Sequence, residues 1–409
     1  MYPLILFKVI SMAYVNFKEE KYCANIQIEN RKKNNKKVID YINKNKEKVT
    51  DYTPCREYSF KTFNEEVFGK NGILDEAEFK LVESKDILCA KFIDCNFKNI
   101  RYKDCNFIGC EFINCKFNEG GVTFQNCSFI KEGTEQMPSL NNKDNLGCVF
   151  KNCYMYARFL NCDLSMVLFE YCNINNTSFE LTYMKKSIIK NSELDKIVFK
   201  DCNLDGFKTM DCYIIDLDFN DEDKTKFDTE TWFDKLPVRE KTKAEYEGIY
   251  KVYETICDKY KENQLVNDAN EYYYLGKVYE RKSLKKIIPK IGSYIYWISC
   301  GYGQMPIYPV VTAAVGLILF TMVYLFLGVK IGEETIRLTI PMLFSTDFKT
   351  LLGYFNEAFN LSMGMFAGVG FVNCEPIPTT YMVANIEMLF GFLMMGVGIA
   401  TLIKKAKNN

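Results

Sequence analysis

From Ala90 onward a large apolar residue returns at every fifth position: Phe92, Phe97, Tyr102, Phe107, Phe112 and Phe117. Two places before each stands a smaller or apolar one, namely Ala90, Cys95, Ile100, Cys105, Cys110 and Cys115. The pattern breaks near Gly120–Gly121 and between Lys131 and Gly147, then runs again from Phe159 to Phe219 with Thr209 as its weak member. A period of five suits neither an α-helix nor a flat strand. It suits a coil of four short sides, each turning one large and one small side chain inward, with coils stacked about 4.8 Å apart. About 23 repeats across 88–220 predict roughly six coils and a rod of about 28 Å.

Beyond the rod the period becomes helical. Tyr246, Ile249, Tyr250, Tyr253, Ile256, Cys257 and Tyr260 follow the spacing of one buried stripe, and Ala269, Tyr272, Tyr273, Gly276 and Tyr279 begin a second. This predicts a helical hairpin that packs on the rod's end or on a neighbouring subunit. Basic residues at 281, 282, 285, 286 and 290, followed by Tyr294, Tyr296 and Trp297, predict a segment approaching the cytoplasmic face of a membrane. Residues 310–329 are uncharged, and 381–403 carry one charge, Glu387. Each run is about 20 residues, enough to cross roughly 30 Å of hydrocarbon. Lysines precede the first run and follow the second, which predicts a multi-pass cell-membrane protein with both termini cytoplasmic. Between the runs, "STD" (345–347) caps a helix that enters from the outer face and stops at Gly368.

Composition removes alternatives. The chain has no histidine, which excludes Ser–His and Cys–His nucleophile pairs and His-based metal sites. No phosphate-binding loop stands out, so the chain reads as a non-enzyme without a cofactor or bound metal. Its 52 basic and 52 acidic residues cancel, which gives no nucleic-acid signal. Met1–Tyr14 is apolar but short and lacks a basic leader, so the 17 cysteines are expected reduced in a cytosol. Most occupy the small inward position, where Cys serves as a compact hydrophobe. The basic tract 31–49 reads as a solvated helix face or linker, and "CREYSFKTFNEEVFG" (55–69) as a contribution to a cap on the rod.

Two resemblances follow from these residues. The five-residue run resembles the pentapeptide-repeat family, which implies a right-handed quadrilateral β-helix. "AGVGFVNCEP" (367–376) resembles the potassium-channel filter pattern T-V-G-Y-G-D-x-x-P, and "IEMLFGFLMMGVG" (386–398) its inner helix. "WISCGYGQMP" (297–306) and the hairpin also look like bacterial proteins that join the two families. The resemblance implies a re-entrant pore helix and a filter of Gly368, Val369, Gly370, Phe371 and Val372, whose carbonyls replace the hydration shell of a cation. It implies filter support from Ser362 and Asn373 and a gating hinge at Gly391, a position where a small residue also permits close helix packing. Glu387, costly within a span unless it is hydrogen-bonded, is expected behind the filter, and Glu375 either concentrates cations at the outer mouth or is a solvated loop carboxylate. Gly368 stands where the family has threonine, Val372 where it has glycine, and Asn373 where it has an acid, so relaxed selectivity for K+ and/or Na+ is expected.

The expected chain is therefore mixed in class: an N-terminal cap or linker (1–87), the β-helix (88–220), a hairpin and juxtamembrane segment (221–300), and a two-span α-helical pore domain (301–409). The expected function is a homotetrameric cation channel in a lipid bilayer, with an unidentified cytosolic partner or ligand for the β-helix. The alternative is a membrane-anchored pentapeptide-repeat scaffold with a degenerate, non-conducting pore.

Overall fold

A computed structural model describes residues 15–46, 52–72, 78–131, 146–369 and 374–408. These fall into two units that divide between Ser283 and Leu284.

The first unit is built on a pentapeptide-repeat-like β-solenoid with four parallel ladders. One is an eight-stranded face that begins at Thr62–Asn64 and ends at Trp232–Phe233. A second begins at Val67–Gly69, and a third begins at Lys80–Glu83 and ends at Leu217–Phe219. The fourth is a chain of bridges, Pro54–Asp86, Asn106–Ser128, Ser128–Asp163, Asp163–Tyr183, Tyr183–Asn203 and Asn203–Lys226. Register makes the columns: Phe92 pairs with Phe112, Phe112 with Phe150 and Phe150 with Phe169. Their rings stack at 4.9, 4.6 and 5.0 Å.

The solenoid is longer than the repeat run. Residues 55–69 belong to its first coil, since Phe63 pairs with Phe92 and Phe68 with Phe97. This coil escapes the repeat pattern because Lys61 and Glu66, both exposed, stand where later coils carry a small buried residue. The cysteines also do more than fill space. Cys115, Cys153 and Cys172 donate to the carbonyls of Phe92, Phe112 and Phe150 in the preceding coil, each at 3.4 Å. In other coils Thr177 and Thr182 take the same place with their hydroxyls. Burial pushes the Cys212 thiol up to about 12, which keeps it an unreactive donor.

Helix α1 (Phe17–Lys44) lies along this unit: the lysines of its basic tract form an exposed face, as the solvated reading expects, while Arg31, Asn35, Val38 and Ile42 bury the other face. Arg31 donates to the carbonyls of Met166 (3.1 Å) and Lys186 (2.7 Å), and Asn35 to that of Gly147 (2.9 Å). Lys32 pairs with Glu170 and Glu20 with Lys208, while Val38 and Ile42 pack with Leu88, Ile108 and Leu146. The helix therefore clasps successive coils through corner carbonyls that the solenoid leaves available.

Helices α2 (Lys243–Glu262) and α3 (Val266–Ser283) form the hairpin, and it closes the last coil. Tyrosine hydroxyls satisfy its edge: Tyr272 accepts from the Phe233 N–H (3.0 Å) and donates to the Phe233 carbonyl (2.7 Å). Tyr253 accepts from the Leu236 N–H and Tyr260 donates to the Thr231 carbonyl. Tyr272→Phe strands two buried backbone groups, so a loss of about 1–3 kcal/mol is expected, read from Trp232 fluorescence during urea unfolding.

Asp268, in the first turn of α3, has its carboxyl raised to about 6 by burial and then by the charge of Glu20. Its folded value lies above its unfolded one, so stability falls as pH rises from the unfolded value through 6 and stays low above it. Asp268→Asn is expected to raise the melting midpoint at pH 7 by the equivalent of about 1–2 kcal/mol, with a smaller gain at pH 4.5.

The second unit is an α-helical bundle. Helix α4 (Ile287–Cys300) leads to the long apolar α5 (Ile307–Leu327). Helices α6 (Ile340–Ser345) and α7 (Phe348–Ala367) follow, and the long apolar α8 (Tyr381–Asn408) ends the chain. Strands Val329–Ile331, Glu334–Ile336 and Cys374–Pro376 form a small antiparallel sheet beside the end of α5.

Candidate functional site

The site lies among α5, α7 and α8. Helices α5 and α8 are long and apolar enough to cross a membrane, with mean hydropathies of 2.5 and 2.0 in their most apolar stretches. Only 22% of each stretch is buried, so most of this surface has no protein cover.

Helix α7 is fixed at both ends. Asp347 caps its start by accepting from the Thr350 N–H at 3.0 Å. Gly368 ends it in the left-handed region, at φ 67°. That conformation favours glycine at this position and disfavours the threonine of the channel pattern.

Contacts along α7 give its depth. The Ser362 hydroxyl lies 3.2 Å from the Leu317 carbonyl, about ten residues or roughly 15 Å before the end of α5. A Cβ on Gly391 would lie 2.1 Å from the Phe366 carbonyl oxygen, and Gly391 sits about ten residues, or roughly 15 Å, into α8. The C-terminal part of α7 thus meets α5 near its middle and α8 about a third of the way along. By Cys374 the chain is back in the sheet, paired with Ile331 just beyond α5.

The three helices share one polar contact. Glu387 of α8 is fully buried and accepts from the Tyr324 hydroxyl of α5 at 2.7 Å. It also accepts from the Ser362 hydroxyl of α7. Ser362 and Glu387, each expected singly as a support residue, are therefore direct partners. Sequence reasoning misses Tyr324, although a tyrosine within an apolar helix needs a partner for its hydroxyl.

Val369 is 82% exposed, with its N–H on the Gly364 carbonyl at 3.2 Å. Gly370, Phe371, Val372 and Asn373 lie outside the described residues. Glu375 is exposed and stands across the sheet from Lys330, so it has an opposite charge beside it. Gly391 packs against backbone, while an added Cβ at Gly396 would meet nothing within 4 Å. Among the described residues no group of three His, Cys, Asp or Glu is placed to hold a metal ion.

No protein-family model and no curated protein matches the chain. Among solved structures, the solenoid is similar to QnrB1, a plasmid-mediated fluoroquinolone resistance protein. One trypsin-treated variant of it is 18% identical over 42% of this chain and 80% of that one, with a TM-score of 0.18. A second trypsin-treated variant is 13% identical over 44% and 79%, with a TM-score of 0.16. The full-length form is 15% identical over 41% and 92%, with a TM-score of 0.15. At these scores the likenesses carry no functional argument, and the four-sided architecture rests on this chain's own strand register. The chain joins a pentapeptide-repeat-like β-solenoid to a separate helical bundle with two long apolar helices.

Proposed function

We propose that this chain is a multi-pass membrane protein with cytoplasmic termini, whose bundle assembles as a homotetramer around a cation path. On this reading the cytosolic part runs to residue 300 and the membrane part begins at 301. The carrying observation is that α7 ends against the middle of α5 and about a third of the way along α8, while the chain regains the rim by Cys374. Backbone polar groups at that depth need a water-lined cavity or protein cover, because hydrocarbon satisfies none of them. Copies of Gly368 to Val372 around one axis would supply the cavity and the carbonyl oxygens, with Glu387, Ser362 and Tyr324 holding the helices behind them. The left-handed Gly368, in place of a threonine hydroxyl, supports a path of relaxed selectivity for K+ and Na+.

A second reading asks less of the chain: a membrane-anchored pentapeptide-repeat scaffold without an ion path. The solenoid and the two apolar helices support it with nothing further, and the Lys330–Glu375 register weighs against a lone anionic collector at the outer mouth.

Planar-bilayer recording of the reconstituted full chain, paired with its mass in native micelles, decides between them. The channel reading expects a tetramer, cation current, and a K+/Na+ bi-ionic reversal potential near zero. A monomer that inserts correctly and passes no current establishes the scaffold.

A further inference from the structure

Helix α4 has an unusual surface for a segment outside the two apolar helices. Ile287 is 74% exposed, Ile288 83%, Ile291 53%, Ile295 63% and Ile298 50%. Contiguous bare apolar surface of this kind marks an interaction site.

Its second half is pinned. Gly301, Tyr302 and Gly303 all have positive φ, and the buried Tyr302 hydroxyl lies 2.9 Å from the Ser293 Oγ. Trp297 meets Tyr308 edge-on at 6.0 Å, and the Thr312 hydroxyl donates to the Ile298 carbonyl at 2.7 Å. The helix is thus fixed at the base of α5, and its bare isoleucines adjoin the uncovered apolar surface there.

Charge selects the occupant. Lys285, Lys286 and Lys290 cluster at the start of α4, and no Asp or Glu occurs from Arg281 to Val329. Lys286 is the N-cap and offers no side-chain acceptor to the first-turn N–H groups. Cations at a helix N-terminus oppose its dipole, an arrangement that an external anion relieves. A surface presenting both acyl chain and phosphate satisfies the isoleucines and the lysines together.

We infer that α4 lies in the headgroup layer of an anionic leaflet, its isoleucines in the acyl boundary and Lys285, Lys286 and Lys290 on lipid phosphates. This rests on the membrane reading above and adds a ligand class, anionic phospholipid, at the base of the first span.

The test uses the full chain with Trp232→Phe and Trp297→Phe, carrying either Ile288→Trp or Leu319→Trp. Each is reconstituted in phosphatidylcholine vesicles with or without phosphatidylserine, using lipids brominated high or deep on the acyl chain. Leu319 is 61% exposed near the middle of α5, so its replacement reports the span itself. The indole at 288 is expected to be quenched by the high bromines, about twofold more with phosphatidylserine present. Changing Lys285, Lys286 and Lys290 together to Gln is expected to remove that excess. Three outcomes overturn the inference while position 319 is still quenched by deep bromines. These are quenching at 288 by aqueous iodide alone, shielding from both quenchers as a second copy would produce, and equal lipid quenching in the two mixtures. Failure of quenching at 319 rejects the membrane reading instead.

Discussion

Gly391→Ala is expected to abolish recovery of folded full-length protein, whereas Gly396→Ala is expected to leave yield and melting midpoint unchanged. The added methyl at 391 would sit 2.1 Å from the Phe366 carbonyl oxygen, 2.9 Å from its carbon and 3.0 Å from its Cα. All three are backbone atoms, so no rotamer change relieves the overlap. Helices α7 and α8 would have to part by about 1 Å, loosening the edge-on Phe366–Phe390 pair and the Ser362–Glu387 contact. Overpacking of this kind costs about 3 kcal/mol or more when the obstacle cannot move, and a marginally stable bundle does not survive it. Gly316→Ala is a graded control: its Cβ would meet the Phe390 ring at 2.4 Å, a side chain able to turn. A hinge role makes the opposite forecast, a folded protein with altered opening. Fluorescence-detected size exclusion of the variants separates the two.

How much of this is legible in the sequence depends on where the physics is periodic. Each coil repeats the same requirement every five residues, so the interior columns are written openly as Phe and Cys. A second signal lies beside them. The residue before the cysteine is often Asn or Asp, as at Asp94, Asp104, Asn114, Asn126 and Asn152, and each of these has positive φ. Those side chains tolerate the left-handed corner best, and Asn114 hands its amide to Asp94 and accepts from Asn152. Helix α1 is not legible, because its buried stripe includes Arg31 and Asn35, which seek backbone carbonyls and break the apolar pattern. In the bundle, composition reveals the two apolar helices. It gives no sign that Tyr324 meets Glu387, a contact between residues far apart in sequence. The filter pattern presents Gly368 as a carbonyl donor to an ion, yet its left-handed φ also makes it the stop signal of α7.

Phe112→Ala is expected to lower the solenoid's stability by about 3–5 kcal/mol, the upper range for a lost core aromatic. Its ring lies parallel between Phe92 at 4.9 Å and Phe150 at 4.6 Å, with Phe117 edge-on at 5.8 Å. Strands 91–93, 111–113 and 149–151 are hydrogen-bonded in register, so the coils cannot settle into the vacated space. The cavity therefore persists, and the melting midpoint should drop by roughly 10 °C for a domain of this size. Stacked coils contact only their neighbours, so a defect midway should let the two ends melt separately. Helix α1 opposes this, since it reaches from Lys208 to the coils holding Ile108 and Leu88. The single Phe112→Ala variant should keep one lowered transition by circular dichroism. Adding Arg31→Ala and Asn35→Ala, which loosen the clasp, should split it in two. If Phe112→Ala leaves the midpoint unmoved, ring stacking does not set the solenoid's stability. If the combined variant still melts in one step, α1 is not what couples the coils.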